Sequence, residues 1–124
     1  MRILSVDDSK TTRDVVRNVI DVLGFEFLEA SDGKEALDVL EREKGKVDLV
    51  LLDVNMPVMD GIDTLKAMKD DARFKDVPVT MVTMEIERDT VVKAVECGAR
   101  NYLMKPFTQE ELVGKIMESL GLGV

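Results

Sequence analysis

The amino-acid sequence predicts an α/β fold, a doubly wound sheet of five parallel strands in the order 2-1-3-4-5. Short apolar runs alternate five times with segments of helical periodicity, the pattern of repeated strand–helix units. The chain has 124 residues, of which 45% are hydrophobic and 34% are charged. About 25 residues per unit are too few for an eight-stranded barrel, which needs about 250 in all. We therefore expect a single domain, residues 1–124, without an output domain.

The strands are the short apolar runs bounded by polar or turn-forming residues. We predict them at residues 2–6, 25–30, 47–52, 77–82 and 101–104. The third, VDLVLL, is almost entirely apolar, which is typical of a central parallel strand buried on both faces. The second, FEFLEA, alternates apolar and polar side chains as a half-buried edge strand does. Pro78 has to lie near the start of the fourth, because proline cannot donate to a sheet ladder.

The helices are the segments with apolar residues three and four positions apart. We predict them at residues 9–23, 32–43, 61–70, 87–97 and 108–120. Glycines that end helices follow three of them: Gly24, Gly98 and Gly121. Capping-box spacings begin two of them: Asp32 with Glu35, and Thr108 with Glu111. In the fourth helix, Val91, Ala94 and Val95 are expected to face inward, whereas the charged connection at 70–76 is expected to be a solvated surface.

Composition and charge exclude several classes of function. The chain carries 25 acidic and 17 basic residues, a net charge of −8 and no histidine. The negative charge argues against nucleic acid and membrane surfaces as partners, and the lack of histidine excludes His-ligated zinc and Ser-His-Asp catalysis. The single cysteine, Cys97, fits a reducing cytoplasm and a place in the core. No signal peptide or membrane span of roughly 20 apolar residues is expected.

Polar residues follow four of the predicted strands. Asp7 and Asp8 follow the first, Asp53 the third, Thr83 the fourth and Lys105 the fifth. Ligands of open α/β sheets bind beyond the carboxyl ends of the strands, where the strand order reverses direction. For the predicted order this point lies between strands one and three. The topology therefore brings three carboxylates, a hydroxyl and an ammonium to one edge of the sheet.

Such a group of carboxylates requires a cation. Two carboxylates about 5 Å apart repel by roughly 3 kcal/mol at an effective dielectric constant near 20. Lys105 offsets one charge, so a divalent ion is the natural remainder, and ligands that are all oxygen favour Mg²⁺ or Mn²⁺ over zinc. Because Mg²⁺ usually binds through one or two carboxylates plus a phosphate, the pattern points to phosphoryl chemistry.

These residues resemble the receiver domain of two-component response regulators, and in particular a single-domain regulator of the chemotaxis type. The resemblance covers essentially the whole chain and implies the flavodoxin-like (βα)5 fold. It is carried by the acidic pair after strand one and by the motifs LLDVNMPVMDG, VTM and YLMKPF. Asp53 is 30 residues before Thr83 and 52 before Lys105, spacings that are typical of the family.

The resemblance implies a phosphorylation site and a metal site. Asp53 would accept a phosphoryl group from a phosphohistidine of a sensor histidine kinase. Asp8, Asp53 and the backbone carbonyl of Asn55 would bind Mg²⁺ directly, and Asp7 largely through a metal-bound water. The acyl phosphate would later be lost by autodephosphorylation, so the chain would be primarily a cytoplasmic signalling protein.

The resemblance also implies how phosphorylation is read. Lys105 and the Thr83 hydroxyl would contact phosphoryl oxygens, and the bond between Lys105 and Pro106 would be cis. Movement of Thr83 would let Tyr102 rotate inward and change the face formed by helix four, strand five and helix five, where a downstream protein would bind. Three residues would tune the lifetime of the phosphoryl group: Asn55, Met84 and Glu85. Met84 stands where the family often has a small residue, so we expect it to slow access to the site.

Three other classes share some of these features. A phosphatase of the haloacid dehalogenase type needs an Asp-x-Asp pair and a cap domain, whereas Asp7 and Asp8 are adjacent and few residues remain for a cap. A flavodoxin-like cofactor binder needs a phosphate loop after strand one, but DDSKTT places two acids there. A degenerate receiver that serves only as an interaction module is disfavoured because every site residue is present.

Overall fold

The computed structural model describes residues 1–84 and 87–122, in which five strands alternate with five helices. The strands are β1 (Arg2–Val6), β2 (Glu26–Ala30), β3 (Leu49–Leu52), β4 (Val79–Thr83) and β5 (Asn101–Met104). The helices are α1 (Lys10–Val22), α2 (Gly33–Arg42), α3 (Gly61–Lys69), α4 (Arg88–Glu96) and α5 (Gln109–Ser119). None of these helices combines the length and the apolar character that crossing a bilayer requires.

All five strands are parallel and lie in the order β2-β1-β3-β4-β5, which confirms the predicted sheet. Val6 at the end of β1 pairs with Leu52 at the end of β3, and Leu52 pairs with Met81 in β4. β4 then continues for two residues, to Thr83. The residues that follow β1, β3 and β4 therefore meet at one edge, which we call the carboxyl edge of the sheet.

The core has two layers, because alternate strand residues point to opposite faces of the sheet. One layer joins the sheet to α2, α3 and α4; among its fully buried side chains are Leu4, Val50, Leu52, Leu40, Leu65 and Met68. The other joins it to α1 and α5; its members include Ile3, Leu49, Leu51, Val16, Ile20, Leu112 and Ile116. Each such side chain contributes about 2 kcal/mol when it leaves water, so these layers hold the carboxyl edge in place.

The helix ends follow the capping residues closely. Thr108 and Glu111 form the predicted reciprocal capping box at α5. At α2 only half of the predicted box forms: the Asp32 side chain accepts from the Glu35 N–H at 2.8 Å, while the Glu35 carboxylate accepts from the Ser31 hydroxyl. The glycines that follow α1, α4 and α5 all have positive φ, as a helix-ending residue requires.

Two packing predictions were each wrong at one residue. In α4, Ala94 is buried and Val91 half-buried, but Val95 is exposed. The helix packs through a narrow stripe, since Ala94 is its only buried residue. In the charged 70–76 connection, Phe74 is buried in the core, so its ring anchors a turn whose other side chains are mostly polar. Cys97 is half-buried against the same layer.

The loop between β3 and α3 contains an unusual backbone conformation. Val58 has φ +69°, and the Met59 N–H donates to the Pro57 carbonyl at 2.7 Å across it. This is a three-residue γ-turn with its central residue in the left-handed region. A β-branched side chain is strained there, because its Cβ atom crowds the adjacent carbonyl.

Val58→Asn is expected to raise the free energy of unfolding by about 1 kcal/mol, because asparagine tolerates the left-handed region. The measurement is urea denaturation. Val22→Asn is the matched control, since Val22 is 80% exposed and Val58 79% exposed but Val22 lies in regular helix. The control should change stability by less than about 0.5 kcal/mol. A Val58 variant no more stable than the wild type would contradict the strain.

Candidate functional site

Backbone hydrogen bonds continue the pairing of neighbouring chain segments past the ends of the strands. They bring the predicted site residues together. The Asp53 N–H donates to the Val6 carbonyl at 3.0 Å, and the Lys105 N–H donates to the Thr83 carbonyl at 3.0 Å. A pocket of about 310 Å³ opens at this point of the carboxyl edge. It is lined by Asp7, Asp8, Ser9, Thr12, Asp53, Asn55, Thr83, Met84 and Lys105.

Lys105 forms ion pairs with two buried carboxylates. Its Nζ lies 2.5 Å from Asp7 Oδ2 and 3.1 Å from Asp53 Oδ2. Asp7 is only 3% exposed and Asp53 only 7%. Taking either carboxylate out of water costs several kcal/mol unless a charged partner is present. Lys105 is therefore the charge that allows both acids to occupy the end of an apolar sheet.

Burial and pairing act in opposite directions on the two partners. Burial raises the pKa of Asp7 above its usual range, and the hydrogen bond from Lys105 opposes this shift only in part. Burial by itself would lower the pKa of Lys105, but the carboxylates of Asp7 and Asp53 outweigh it and raise that pKa. The pKa of Asp7 thus rises although it has a cationic partner, because burial is the largest effect on it, whereas Lys105 gains from both carboxylates.

The turn from β1 to α1 is held by a local network. Ser9 caps α1, since its Oγ accepts from the Thr12 N–H at 3.2 Å. The Ser9 N–H donates to Asp7 Oδ1 at 2.9 Å, and Arg13 Nη1 donates to the Asp7 carbonyl at 2.6 Å. Arg13 was not predicted as a site residue. Its role depends on contacts with Asp7 and Glu29 that form only in the folded chain.

The three carboxylates form a group that fits a divalent cation. One oxygen from each of Asp7, Asp8 and Asp53 can be chosen so that all lie within 4.8 Å of one another. Asp8 is at the exposed rim, which leaves a route for an ion to enter. With Lys105 beside them, three carboxylates leave a formal charge of −2. Hard oxygen ligands of this charge are those that Mg²⁺ prefers.

The remaining predicted residues surround this group at different depths. Thr83 is fully buried at the end of β4, and the neighbouring Met84 is exposed at the rim of the pocket. The peptide bond between Lys105 and Pro106 is cis. Tyr102 is half-buried and packs against a core layer, and it is not among the described residues that line the pocket. Glu85 lies outside the described residues.

Gly61, the first residue of α3, lies directly against the backbone of Asp53. A Cβ atom at this position would overlap the Asp53 carbonyl oxygen and come within 2.9 Å of Val54 Cα. The Gly61 N–H also donates to the Val54 carbonyl at 2.8 Å. Only glycine allows the helix to begin this close to the end of β3.

Comparison with known proteins identifies the class of this fold and site. The family model described as the response regulator receiver domain matches residues 3–117. The chain therefore belongs to the response regulator receiver domain family. Within the family it is of the chemotaxis regulator type, because its curated relatives include chemotaxis proteins matched over nearly their whole length.

The chain is 44% identical over 117 residues to the chemotaxis protein CheY of Pseudomonas aeruginosa, which covers 94% of this chain and 93% of that protein. It is 44% identical over 124 residues to CheY-3 of Vibrio cholerae, which covers 97% and 94% respectively. The crystallised chemotaxis protein CheY4 of Vibrio cholerae superposes with a TM-score of 0.88 at 34% identity, over 96% of this chain and 98% of that one. A CheY-like receiver domain protein of Methanospirillum hungatei gives 0.89 at 30% identity, over 97% and 93%.

Gly61→Ala is expected to lower the free energy of unfolding by about 2–3 kcal/mol, because the added methyl group forces α3 away from the Asp53 carbonyl. Gly114→Ala is the control, since Gly114 lies within α5 with no atom within 4 Å of the added Cβ. The control should gain about 0.5–1 kcal/mol from helix propensity. Urea denaturation of both variants measures the difference, and equal effects would contradict the close approach.

Lys105→Met is expected to destabilise the protein by about 3 kcal/mol at neutral pH, because it leaves two buried carboxylates without their cation. The pKa of Asp7, already raised, should rise further. A carboxyl group with a raised folded-state pKa lowers stability only while it is ionised, so the loss should shrink as the pH falls through that pKa.

The measurement is urea denaturation in metal-free buffer, from neutral pH down to about pH 5. Lys10→Met is the control, since Lys10 forms an exposed ion pair with Asp14 at 3.1 Å and such pairs contribute less than about 1 kcal/mol. If Lys105→Met lowers the free energy of unfolding by the same amount at both ends of the pH range, the burial of uncompensated charge is not the cause.

Proposed function

We propose that the chain is a phosphorylation-activated signalling switch that accepts a phosphoryl group on Asp53 from a phosphohistidine of a sensor histidine kinase. One observation carries the proposal: Asp53 lies in a pocket at the carboxyl edge, in contact with Lys105 and grouped with Asp7 and Asp8. This arrangement provides a nucleophilic carboxylate, a cationic contact for a phosphoryl oxygen and a set of oxygen ligands for a divalent ion.

In the proposed transfer, a carboxylate oxygen of Asp53 forms a bond to the phosphorus atom of the donor. The phosphorus–nitrogen bond breaks, and its electron pair remains with the departing imidazole, which takes up a proton. The Lys105 ammonium donates to one phosphoryl oxygen and the Thr83 hydroxyl to another. Thr83 is the last residue of β4, and Lys105 directly follows β5. Both strands end at the same edge as β3, which supports these roles.

The metal in this proposal is Mg²⁺, with Mn²⁺ as a substitute. When bound, it stabilises the negative charge on the transferring phosphoryl oxygens. Asp8, Asp53 and the Asn55 carbonyl would hold it directly, and Asp7 through a water molecule. The short distances within the carboxylate group and the position of Asn55 on the wall of the same pocket support this set.

The proposed signal ends when water hydrolyses the acyl phosphate. Asn55, Met84 and Glu85 are the residues assigned to tune this rate. Asn55 and Met84 line the pocket, and the exposed thioether of Met84 stands at its entrance, where it would restrict the approach of water and of small donors.

The phosphorylated state would be read on the face formed by α4, β5 and α5. Three apolar side chains of α4 and β5 are exposed on the described surface: Val92, Val95 and Met104. Tyr102 lies on β5 beside them, and β5 leads directly to Lys105. A downstream protein that buries this patch would sense movements of Thr83 and Tyr102 through the difference in its affinity for the two states.

The test is phosphorylation in solution. The protein is mixed with Mg²⁺ and acetyl phosphate, and its intact mass is measured over time. The wild type should gain the mass of one phosphoryl group, and Asp53→Asn should gain none. Asp38→Asn is the matched control, since Asp38 is an exposed residue of α2, and it should behave as the wild type.

Omitting Mg²⁺ and adding a chelator should prevent the gain. A wild type that gains no mass with Mg²⁺ and acetyl phosphate would overturn the proposed function and leave an interaction module. An adduct that persists in Asp53→Asn would place the acceptor elsewhere.

A further inference from the structure

Arg13 connects the acidic pocket to the edge strand β2. Its Nη1 donates to the Asp7 carbonyl at 2.6 Å, and its Nε donates to Glu29 Oε1 at 2.8 Å. The Arg13 side chain is only 14% exposed. Two nitrogens of one rigid guanidinium thus fix the distance between the end of β1 and a carboxylate of β2.

With this contact, the backbone N–H and the backbone carbonyl of Asp7 are both held by hydrogen bonds. The Asp7 N–H donates to the Ala30 carbonyl at the end of β2, at 3.1 Å. Its carbonyl, which belongs to the peptide unit shared with Asp8, accepts from Arg13. The orientation of that peptide unit determines where the Asp8 side chain begins. Asp8 is the exposed member of the carboxylate group, so the buried core constrains it less than it constrains the other two.

We propose that Arg13, held by Glu29, is a positioning residue for the divalent-cation site, and that it strengthens cation binding by orienting the turn that carries Asp7 and Asp8. The inference rests on the proposed function, in which these carboxylates bind Mg²⁺. Arg13 acts through the Asp7 carbonyl rather than as a ligand. Partners of this kind typically change metal affinity 10- to 100-fold when they are removed.

Orientation of the turn by Arg13 and the electrostatic effect of its charge predict opposite changes in the affinity for Mg²⁺. Arg13 is a cation near the carboxylates, so its charge alone repels Mg²⁺, and removing that charge would tighten binding. If Arg13 orients the turn, its removal weakens binding instead. The direction of the change therefore separates the two roles without any assumption about magnitude.

The chain offers a matched control one turn further along α1. Arg17 contacts the same carboxylate, with Nη2 at 3.4 Å from Glu29 Oε2, and its guanidinium lies over the Phe27 ring at 4.9 Å. No hydrogen bond to Asp7 is found for it among the described residues. Arg17→Ala thus removes the same charge from the same network and leaves the Asp7 carbonyl bonded.

The experiment is isothermal titration of the full chain with MgCl₂, together with urea denaturation to verify folding. We expect Arg13→Ala to raise the Kd for Mg²⁺ about 10-fold and Arg17→Ala to change it less than about twofold. Arg13→Lys should also weaken binding, because one ammonium keeps the charge but does not bridge Asp7 and Glu29. Glu29→Ala should weaken it less than Arg13→Ala, and the double variant should bind no more weakly than Arg13→Ala.

A Kd for Arg13→Ala that is unchanged or lower than that of the wild type would overturn the inference, as would equal effects of Arg13→Ala and Arg17→Ala. An Arg13→Lys variant that binds as the wild type does would overturn the proposed bridging role of the guanidinium. A wild type without measurable Mg²⁺ binding would instead overturn the metal site of the proposed function, and the inference with it.

Discussion

The contact of one ammonium with two buried carboxylates is the interaction on which the rest of this site depends. Asp7 and Asp53 both follow strands whose buried side chains are mostly apolar, and either carboxylate would be costly to bury with only the other acid nearby. Lys105 reaches both from the far side of β4. Because the single cation serves two anions, the group keeps an excess of negative charge. That excess is what makes it suitable for a divalent ion rather than for a permanent, neutral salt bridge.

The parallel sheet positions the three side chains as precisely as this contact requires. An ammonium shared between two acids requires the three side chains to be fixed within a fraction of an ångström, although Lys105 is 52 residues from Asp53 along the chain. The register between β1, β3 and β4 aligns their ends, and the two core layers prevent the strands from sliding. Apolar packing that has no chemical role thus determines the geometry of the polar group.

Much of the fold and many of the site residues could be predicted from the sequence, because both follow from local signals. Hydrophobic periodicity indicated the five units, and the general rule for open α/β sheets placed the acids at one edge. The burial of Phe74 and the exposure of Val95 were not predictable, since they depend on which neighbour covers each element. Arg13 escaped notice for a similar reason: its role lies in hydrogen bonds to Asp7 and Glu29, which only the folded chain brings within reach.

The close approach of α3 to β3 has a mechanical consequence. The Asp53 backbone is confined by Val6 on one side and by Gly61 on another, with no space for even a methyl group between the helix and the Asp53 carbonyl. The acceptor candidate therefore stands on a rigid support. In the proposed function, a displacement that follows a new group on its side chain would therefore have to be taken up by other parts of the pocket. Backbone contacts thus hold the wall of the pocket that carries Asp53, and the proposed phosphoryl group would be presented from a fixed position.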